Sequence, residues 1–247
     1  MPAEYPGVSS LANSVVPAGC EVLSLDNKAG DVELGPGLSY VHDHSTGQRT
    51  IRSTCSGMLK HYDARNQSRH RLLLLGDVKR YTPHVNDCVI GIVSEKLGES
   101  FSLNISAPAK ASLHMLSFEG ATRRNRPNLA PGDVVFARVE FCAIDMDPVL
   151  SCVAQSGKAD GFGQLKGGYV VEVGTAHARS LLSGDSPVLN ELSQHMTFEV
   201  AVGRNGRVWV EGSTTKDTIV AANVITESVL HLPDQARSLV QRLTSKR

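Results

Sequence analysis

The sequence has no surplus charge of either sign, with Lys plus Arg and Asp plus Glu at 25 each. A balanced chain has no whole-molecule field to draw in nucleic acid or an anionic membrane, so any polyanion site must be local. No stretch approaches 18 consecutive apolar residues, and Met1 to Gly7 lacks the basic and then apolar order of a secretory leader. That predicts a protein neither secreted nor membrane-spanning. The five cysteines, Cys20, Cys55, Cys88, Cys142 and Cys152, are widely spaced and lack the C-x-x-C pairing that zinc or redox chemistry would need. They read as reduced, mostly buried thiols in an intracellular protein. Neither a G-x-S-x-G elbow nor a G-x-x-x-x-G-K phosphate loop occurs, so nothing demands catalysis.

What the chain does contain is a change of texture along its 247 residues, enough for one large or two to three small domains. From Val15 to about Gly76, short apolar runs are cut by turn residues such as Gly35-Pro-Gly37, which predicts a small β-domain. His61 to His70 has no apolar period and reads as an exposed loop. From Lys79 to Cys152 five candidate strands (88–93, 100–105, 111–116, 134–139 and 149–153) fit a closed Greek-key barrel of the OB type. After Ser156 the order is β-α-α-β-β-α, that of a KH module. Its last helix is placed at about 218–230, with Ile219, Ala222, Ile225 and Val229 on one stripe. The fold class is therefore mainly β with a C-terminal α/β module. The expected domains are 1–77, 78–154 and 155–247, the last being a KH domain with a C-terminal helix.

Three arginines fall within four positions at Arg123, Arg124 and Arg126, between two predicted strands. Such a cluster suits anionic oxygens through forked, charge-assisted hydrogen bonds, and equally an acidic protein surface or plain solvation. Residues 79–152 carry eight Lys or Arg and eight Asp or Glu. Phosphate neutralisation supplies most non-specific affinity, so the barrel alone predicts weak RNA binding, strengthened where neighbouring chains share the strand. Tyr81, Phe101, Phe118 and Phe136 are candidate stacking faces, with Phe136 read as barrel core and Phe101 open between core and surface.

Three islands then converge: Phe118-Glu-Gly-Ala-Thr-Arg-Arg-Asn-Arg-Pro-Asn128, Asp145-Met-Asp-Pro-Val-Leu-Ser-Cys152 and Gly203-Arg-Asn-Gly-Arg-Val-Trp-Val210. With them the chain resembles the RNA exosome cap subunits of the ribosomal RNA-processing protein 40 (exosome component 3) family, over about residues 15 to 230. The resemblance implies an N-terminal β-domain, an S1-type OB barrel and a KH domain. It also implies a non-catalytic subunit with no cofactor or metal. Such subunits join RNase PH-like ring subunits and other cap subunits in a hetero-oligomer, in nucleus, nucleolus and cytoplasm, and pass RNA to a separate 3′-to-5′ exoribonuclease. Lys79, Arg80, Lys96, Phe101, Lys110, Arg123, Arg124 and Arg126 are the candidates for RNA or ring contact.

The sequence departs from ordinary KH practice at the loop between its first two helices. There a G-x-x-G lets backbone amides approach phosphates, but this chain has Ser183-Gly-Asp-Ser186, which argues against a nucleotide clamp. The G-x-N-G stands instead at a strand-to-strand turn, where Asn205-Gly206 is expected to supply positive φ angles and Arg204 stands at the tip within reach of a partner. Gly203, Asn205, Gly206 and Trp209 are thus read as a structural motif. Two other function classes stay open. One is a metal-dependent hydrolase using Asp145 and Asp147, which share a face at i and i+2, although Pro148 and Glu140 suggest a solvated turn. The other is a free-standing RNA-binding module of translation. His42-Asp43-His44 lacks an assignable third ligand and reads as a solvated loop. The final Arg237, Arg242, Lys246 and Arg247 read as helix termination.

Overall fold

A computed structural model describes residues 14–25, 32–42, 48–63, 70–76, 80–143, 145–183, 186–230 and 235–244. The chain divides into two compact units, Met1–Val78 and Lys79–Arg247.

The first unit is all β. Its strands are β1 (Val15–Val16), β2 (Glu21–Leu25), β3 (Val32–Leu34), β4 (Leu38–His42), β5 (Arg49–Ser53), β6 (Gly57–Asp63) and β7 (His70–Leu75). They form a sheet in the order β1-β6-β7-β3 and a second in the order β2-β5-β4. Ile51, Leu59, Leu72 and Leu74 are almost fully buried between them. The loop expected over His61 to His70 is corrected at both ends. His61 to Asp63 continues β6, and His70 begins β7, because Asp63 and His70 are paired across the ladder. Residues 64–69 lie outside the described residues, as do Asp43 and His44.

The second unit holds two cores. Strands β8 (Cys88–Leu97), β9 (Ser100–Asn104), β10 (Ala111–Phe118), β11 (Val134–Ala143) and β12 (Met146–Cys152) run in the order β12-β10-β9-β8-β11, and β12 also pairs with β11. That last pairing closes the barrel and removes both sheet edges, with β13 (Gly163–Leu165) added beside β11. Inward positions alternate along β11 as Val135, Ala137 and Val139, all fully buried with Phe101, Leu103, Leu113 and Leu150.

The KH module follows as β14 (Tyr169–Glu172), α1 (Thr175–Leu181), α2 (Pro187–His195), β15 (Phe198–Val202), β16 (Arg207–Gly212) and α3 (Thr215–Ser228), then a further helix α4 (Ala236–Thr244). Helix α3 starts at Thr215 because the Thr214 hydroxyl accepts the Asp217 N–H at 3.2 Å. The helix therefore begins earlier than the expected 218, and its buried stripe also differs from the one read from the sequence. Ala222 and Ile225 are buried with Ala221, Val224 and Ser228, but Ile219 and Val229 face outward. The small Ala221 and Ala222 let the helix lie close over the sheet, a face that a search for large apolar residues passes over. Helix α4 packs on α2 and α3 through Ala236, Leu239 and Val240. Its Arg237 and Arg242 pair with Glu191 (3.3 Å) and Glu227 (2.7 Å). Lys246 and Arg247 lie outside the described residues.

All five cysteines are free thiols, but only Cys152 is buried, and Cys20 is exposed; the expectation of mostly buried thiols is corrected. Burial pushes the Cys152 thiol up to about 12. Among the described residues no helix is long and apolar enough to cross a membrane.

Candidate nucleic-acid interface

The arginine loop joins β10 to β11 and is held to the barrel at both ends. Phe118 packs against the core at its start, and the Glu119 carboxylate accepts the Ala159 N–H at 2.7 Å. At its finish Leu129 is buried, and the Ala130 N–H donates to Asp133 Oδ2 at 2.8 Å. Between these anchors the Thr122 N–H donates to the Asn125 carbonyl, and the Asn125 N–H to Thr122 Oγ1, both at 3.1 Å. The two bonds close a tight turn whose central residues are Arg123 and Arg124.

Both arginines are exposed, and among the described residues no carboxylate pairs with either. Arg126 behaves differently. Its Nε donates to the Arg123 carbonyl at 3.0 Å, and its guanidinium stands 3.8 Å from Glu99 in the β8–β9 turn. Lys96, at the end of β8, donates to Asn128 Oδ1 at 3.2 Å. The loop is therefore braced by Arg126 and Lys96 while Arg123 and Arg124 point two unpaired guanidiniums at solvent, the arrangement a phosphate pair needs.

At the opposite end of the barrel the KH turn is plugged into the start of β8 and the end of β9. The Asn205 side chain donates to the carbonyls of Ile90 (2.8 Å) and Ile105 (3.0 Å) and accepts the Ile90 N–H at 3.2 Å. The buried Arg207 donates to the Asn104 carbonyl at 2.6 Å and to Glu172 at 3.2 Å. The Arg204 N–H reaches the Cys88 carbonyl at 2.8 Å, and its guanidinium pairs with the buried Asp87 at 2.7 Å. Tyr81 donates its hydroxyl to the same carboxylate at 2.7 Å. Its phenol is pushed well above the usual tyrosine range, first by burial and then by the Asp87 charge.

The turn itself closes through Gly206 N–H to the Gly203 carbonyl, with Gly206 at φ 79°. A Cβ on Gly206 would strike the Val173 carbonyl, so only glycine fits. Trp209, nearly buried, donates its indole N–H to the Gly167 carbonyl at 3.0 Å.

The family model for the exosome complex component RRP40 S1 domain matches residues 81–163, and a KH domain model matches residues 168–216. The exosome complex component rrp40 of Schizosaccharomyces pombe is 36% identical over 204 residues, covering 82% of each chain. The chain belongs to the exosome complex component RRP40 family. The human relative of that name is 34% identical, covering 86% of this chain and 76% of its own. A crystal structure described as an exosome complex RNA-binding protein superposes with TM-score 0.58 at 21% identity, over 68% of this chain and 99% of its own, and shows a shared fold.

In this RRP40 family chain the structure does not gather all the site residues read from the sequence. Arg123, Arg124, Arg126 and Lys96 meet at one barrel end. Arg80 is exposed on the segment leading into the barrel, and Lys79 lies outside the described residues. Lys110 is committed to Glu95 at 2.8 Å, and this partner holds the Glu95 carboxyl below the usual carboxylate range. Phe101 is a correction: its ring is fully buried in the barrel core, because it alternates inward with Leu103. It touches the surface only from beneath, with Lys96 Nζ 6.0 Å above its ring centroid. Tyr81 is likewise buried. Phe136, read as core, points the other way and stacks on Phe162 with ring centroids 5.0 Å apart, since its neighbours Val135 and Ala137 hold the inward positions.

The turn residues are placed together as read, but for a different reason in one case. Asn205 has no positive φ; only Gly206 does. The amide of Asn205 is needed for its three bonds to the barrel backbone, and Arg204 at the tip is paired with Asp87. Asp87 as the partner of Arg204, and Asn104 as that of Arg207, were missed, since each reads locally as a turn or strand-end residue. Gly184 and Asp185 of the Ser183 to Ser186 loop lie outside the described residues. Asp145 and Asp147 are both exposed, and among the described residues no three His, Cys, Asp or Glu side chains gather as a metal site would require. A groove of about 570 Å³ beside α3, lined by Tyr169, Glu211, Thr214 and Ile219 among others, contains no lysine or arginine and does not suit a polyanion.

Proposed function

We propose that this chain is a non-catalytic RNA-binding cap subunit of the RNA exosome. It stabilises the RNase PH-like ring with the other cap subunits and guides RNA toward 3′-to-5′ degradation and processing by a separate exoribonuclease. The observation that carries this reading is the pair Arg123 and Arg124, exposed and unpaired at the tip of a braced loop on an S1-type barrel. RRP40 is named as an exosome complex component in its relatives, which supports the same assignment. The work of such a subunit falls in the nucleus, nucleolus and cytoplasm.

Two unpaired arginines and a neutral barrel bind a strand weakly, so the affinity that matters arises in the assembly, where adjoining chains share one RNA. Affinity purification from the native cell is the direct test. Co-elution of a six-member RNase PH-like set supports the reading, and recovery of the chain alone overturns it in favour of a free-standing module of translation. Incubating the purified chain with labelled RNA and Mg²⁺ tests the non-catalytic part. RNA should remain intact, and cleavage lost on Asp145→Ala or Asp147→Ala would establish the hydrolase instead.

A further inference from the structure

The barrel is polarised along its length. The arginine loop sits where β11 begins, and ten residues of β11 carry the chain about 30 Å to the opposite rim. There the β11–β12 hairpin exposes Phe141 and Met146, whose relative accessibilities are 45% and 60%. Phe141 faces out because the β11–β12 register shifts on both sides of it, and a bulge at a barrel rim re-aims a side chain. Val85 is exposed on the neighbouring segment, which is tied to β11 by the Asn86 N–H to the Val139 carbonyl (2.8 Å) and by Cys142 Sγ to the Pro83 carbonyl (3.5 Å).

Within the hairpin, residues 140–147, every charged residue is acidic. Glu140, Asp145 and Asp147 are all exposed beside the apolar residues. Of the nearby cations, Arg204 is paired with Asp87 (2.7 Å), while Arg138 donates to the uncharged Asn86 (2.9 Å), so carboxylates still predominate. Two large exposed apolar side chains on a bulged hairpin are a docking feature, and three carboxylates around them repel phosphate. Complementarity then selects a protein partner with the opposite charge.

We propose that the β11–β12 hairpin is a protein-docking tip, and that its occupant is a stretch of another polypeptide in which lysine or arginine alternates with apolar residues. The two rims would divide labour: RNA at the arginine loop, a basic protein segment at the hairpin. This surface is distinct from the arginine loop and does not depend on that loop's role.

The test places the photo-crosslinker p-benzoylphenylalanine at Phe141, and separately at Met146, in the full chain within its native assembly. Adducts are sequenced by mass spectrometry. The expected adduct is one polypeptide at a stretch holding at least two Lys or Arg among apolar residues, its yield falling about tenfold when Asp145→Lys and Asp147→Lys are added, a change equal to 1.4 kcal/mol. Co-purification of the assembly and the thermal midpoint of the isolated chain are read alongside, so that a folding or assembly defect is not mistaken for lost docking. Adducts with RNA, adducts with a second copy of the chain, no adduct in an intact assembly, or yields indifferent to the charge reversal would each overturn the proposal.

Discussion

Asn205 clasps Ile90 from 115 positions further along the chain, accepting its N–H at 3.2 Å and donating to its carbonyl at 2.8 Å. One side chain thereby satisfies both backbone groups of a buried barrel residue, and the Ile105 carbonyl as well. Asn205→Ala removes the partner of the Ile90 N–H and of the Ile105 carbonyl and leaves the Ile90 carbonyl with only the Arg207 guanidinium at 3.5 Å, and each unpartnered buried group costs about 1–3 kcal/mol. Relaxation will recover some of that, so the expected loss is about 3 kcal/mol. Asn205→Asp should be worse, since it keeps the acceptor, loses both donors and buries a charge against two carbonyls. Trp209, the sole tryptophan, lies in the KH sheet and reports on that module by fluorescence. In the parent chain its urea transition should coincide with the circular-dichroism transition of residues 79–247, and in Asn205→Asp the two should separate. Coincident, unshifted transitions would show that Asn205 does not couple the cores.

The arginine loop yields a prediction in which salt is the discriminating variable. Double substitution of Arg123→Ala and Arg124→Ala should weaken binding of single-stranded RNA uniformly across sequences. It should also flatten the log affinity against log salt plot by about 0.7 for each phosphate contact removed. Arg126→Ala should act through the loop, because its guanidinium is already spent on the Arg123 carbonyl and Glu99. Its effect on the salt slope should be smaller than that of either tip arginine. An unchanged slope in the double variant, together with loss of assembly, would move the loop from RNA to protein contact.

Much of the barrel was legible because β10 and β11 alternate buried and more open positions over about six residues, and burial of one face obliges that alternation. Local pattern misleads where it disagrees with the tertiary partner. Phe101 and Phe136 both lie on strands, and only the register decides which ring enters the core. The α3 stripe was misjudged because Ala221, Ala222 and Ser228 bury by virtue of being small, a property that a hydrophobic period does not register. Gly206 was legible as a turn glycine from N-G alone. The amide of Asn205 was not, for its partners are 100 and 115 residues away and carry no signal of their own, being backbone. Arg123 and Arg124 were found by clustering, but what sets them apart from Arg126 is a set of contacts that composition cannot reveal.

Alkaline pH should expose the buried thiol. Cys152 is held protonated by burial up to about 12, whereas an unfolded thiol titrates near 9. Above pH 9 the unfolded chain therefore binds fewer protons than the folded one, and stability falls as pH rises. The contribution is complete below about pH 9 and is lost between there and about pH 12. Tyr81 acts in the same direction from about pH 10, its folded phenol being raised by burial and by Asp87. Urea midpoints between pH 8 and 11 should fall, and Cys152→Ala should reduce that slope while lowering stability at pH 8. A thiol reagent should label the exposed Cys20 at once and Cys152 only on unfolding.

Phe101 separates a core role from a stacking role. The ring is fully buried, yet Lys96 stands 6.0 Å above it, so a loss of RNA binding in a Phe101 variant could be mistaken for a lost base platform. Phe101→Ala should cost about 3–5 kcal/mol through the cavity it leaves. Phe101→Leu retains most of the volume, should cost less, and should leave RNA affinity unchanged at temperatures where the variant is folded. A base-stacking residue would behave in the opposite way, since leucine has no π-face and the loss of stacking amounts to about 1–3 kcal/mol per base. Measuring RNA affinity and thermal midpoint on the same Phe101→Leu preparation therefore decides the matter. A folded variant with tenfold weaker RNA binding would return Phe101 to the interface from which the barrel packing removes it.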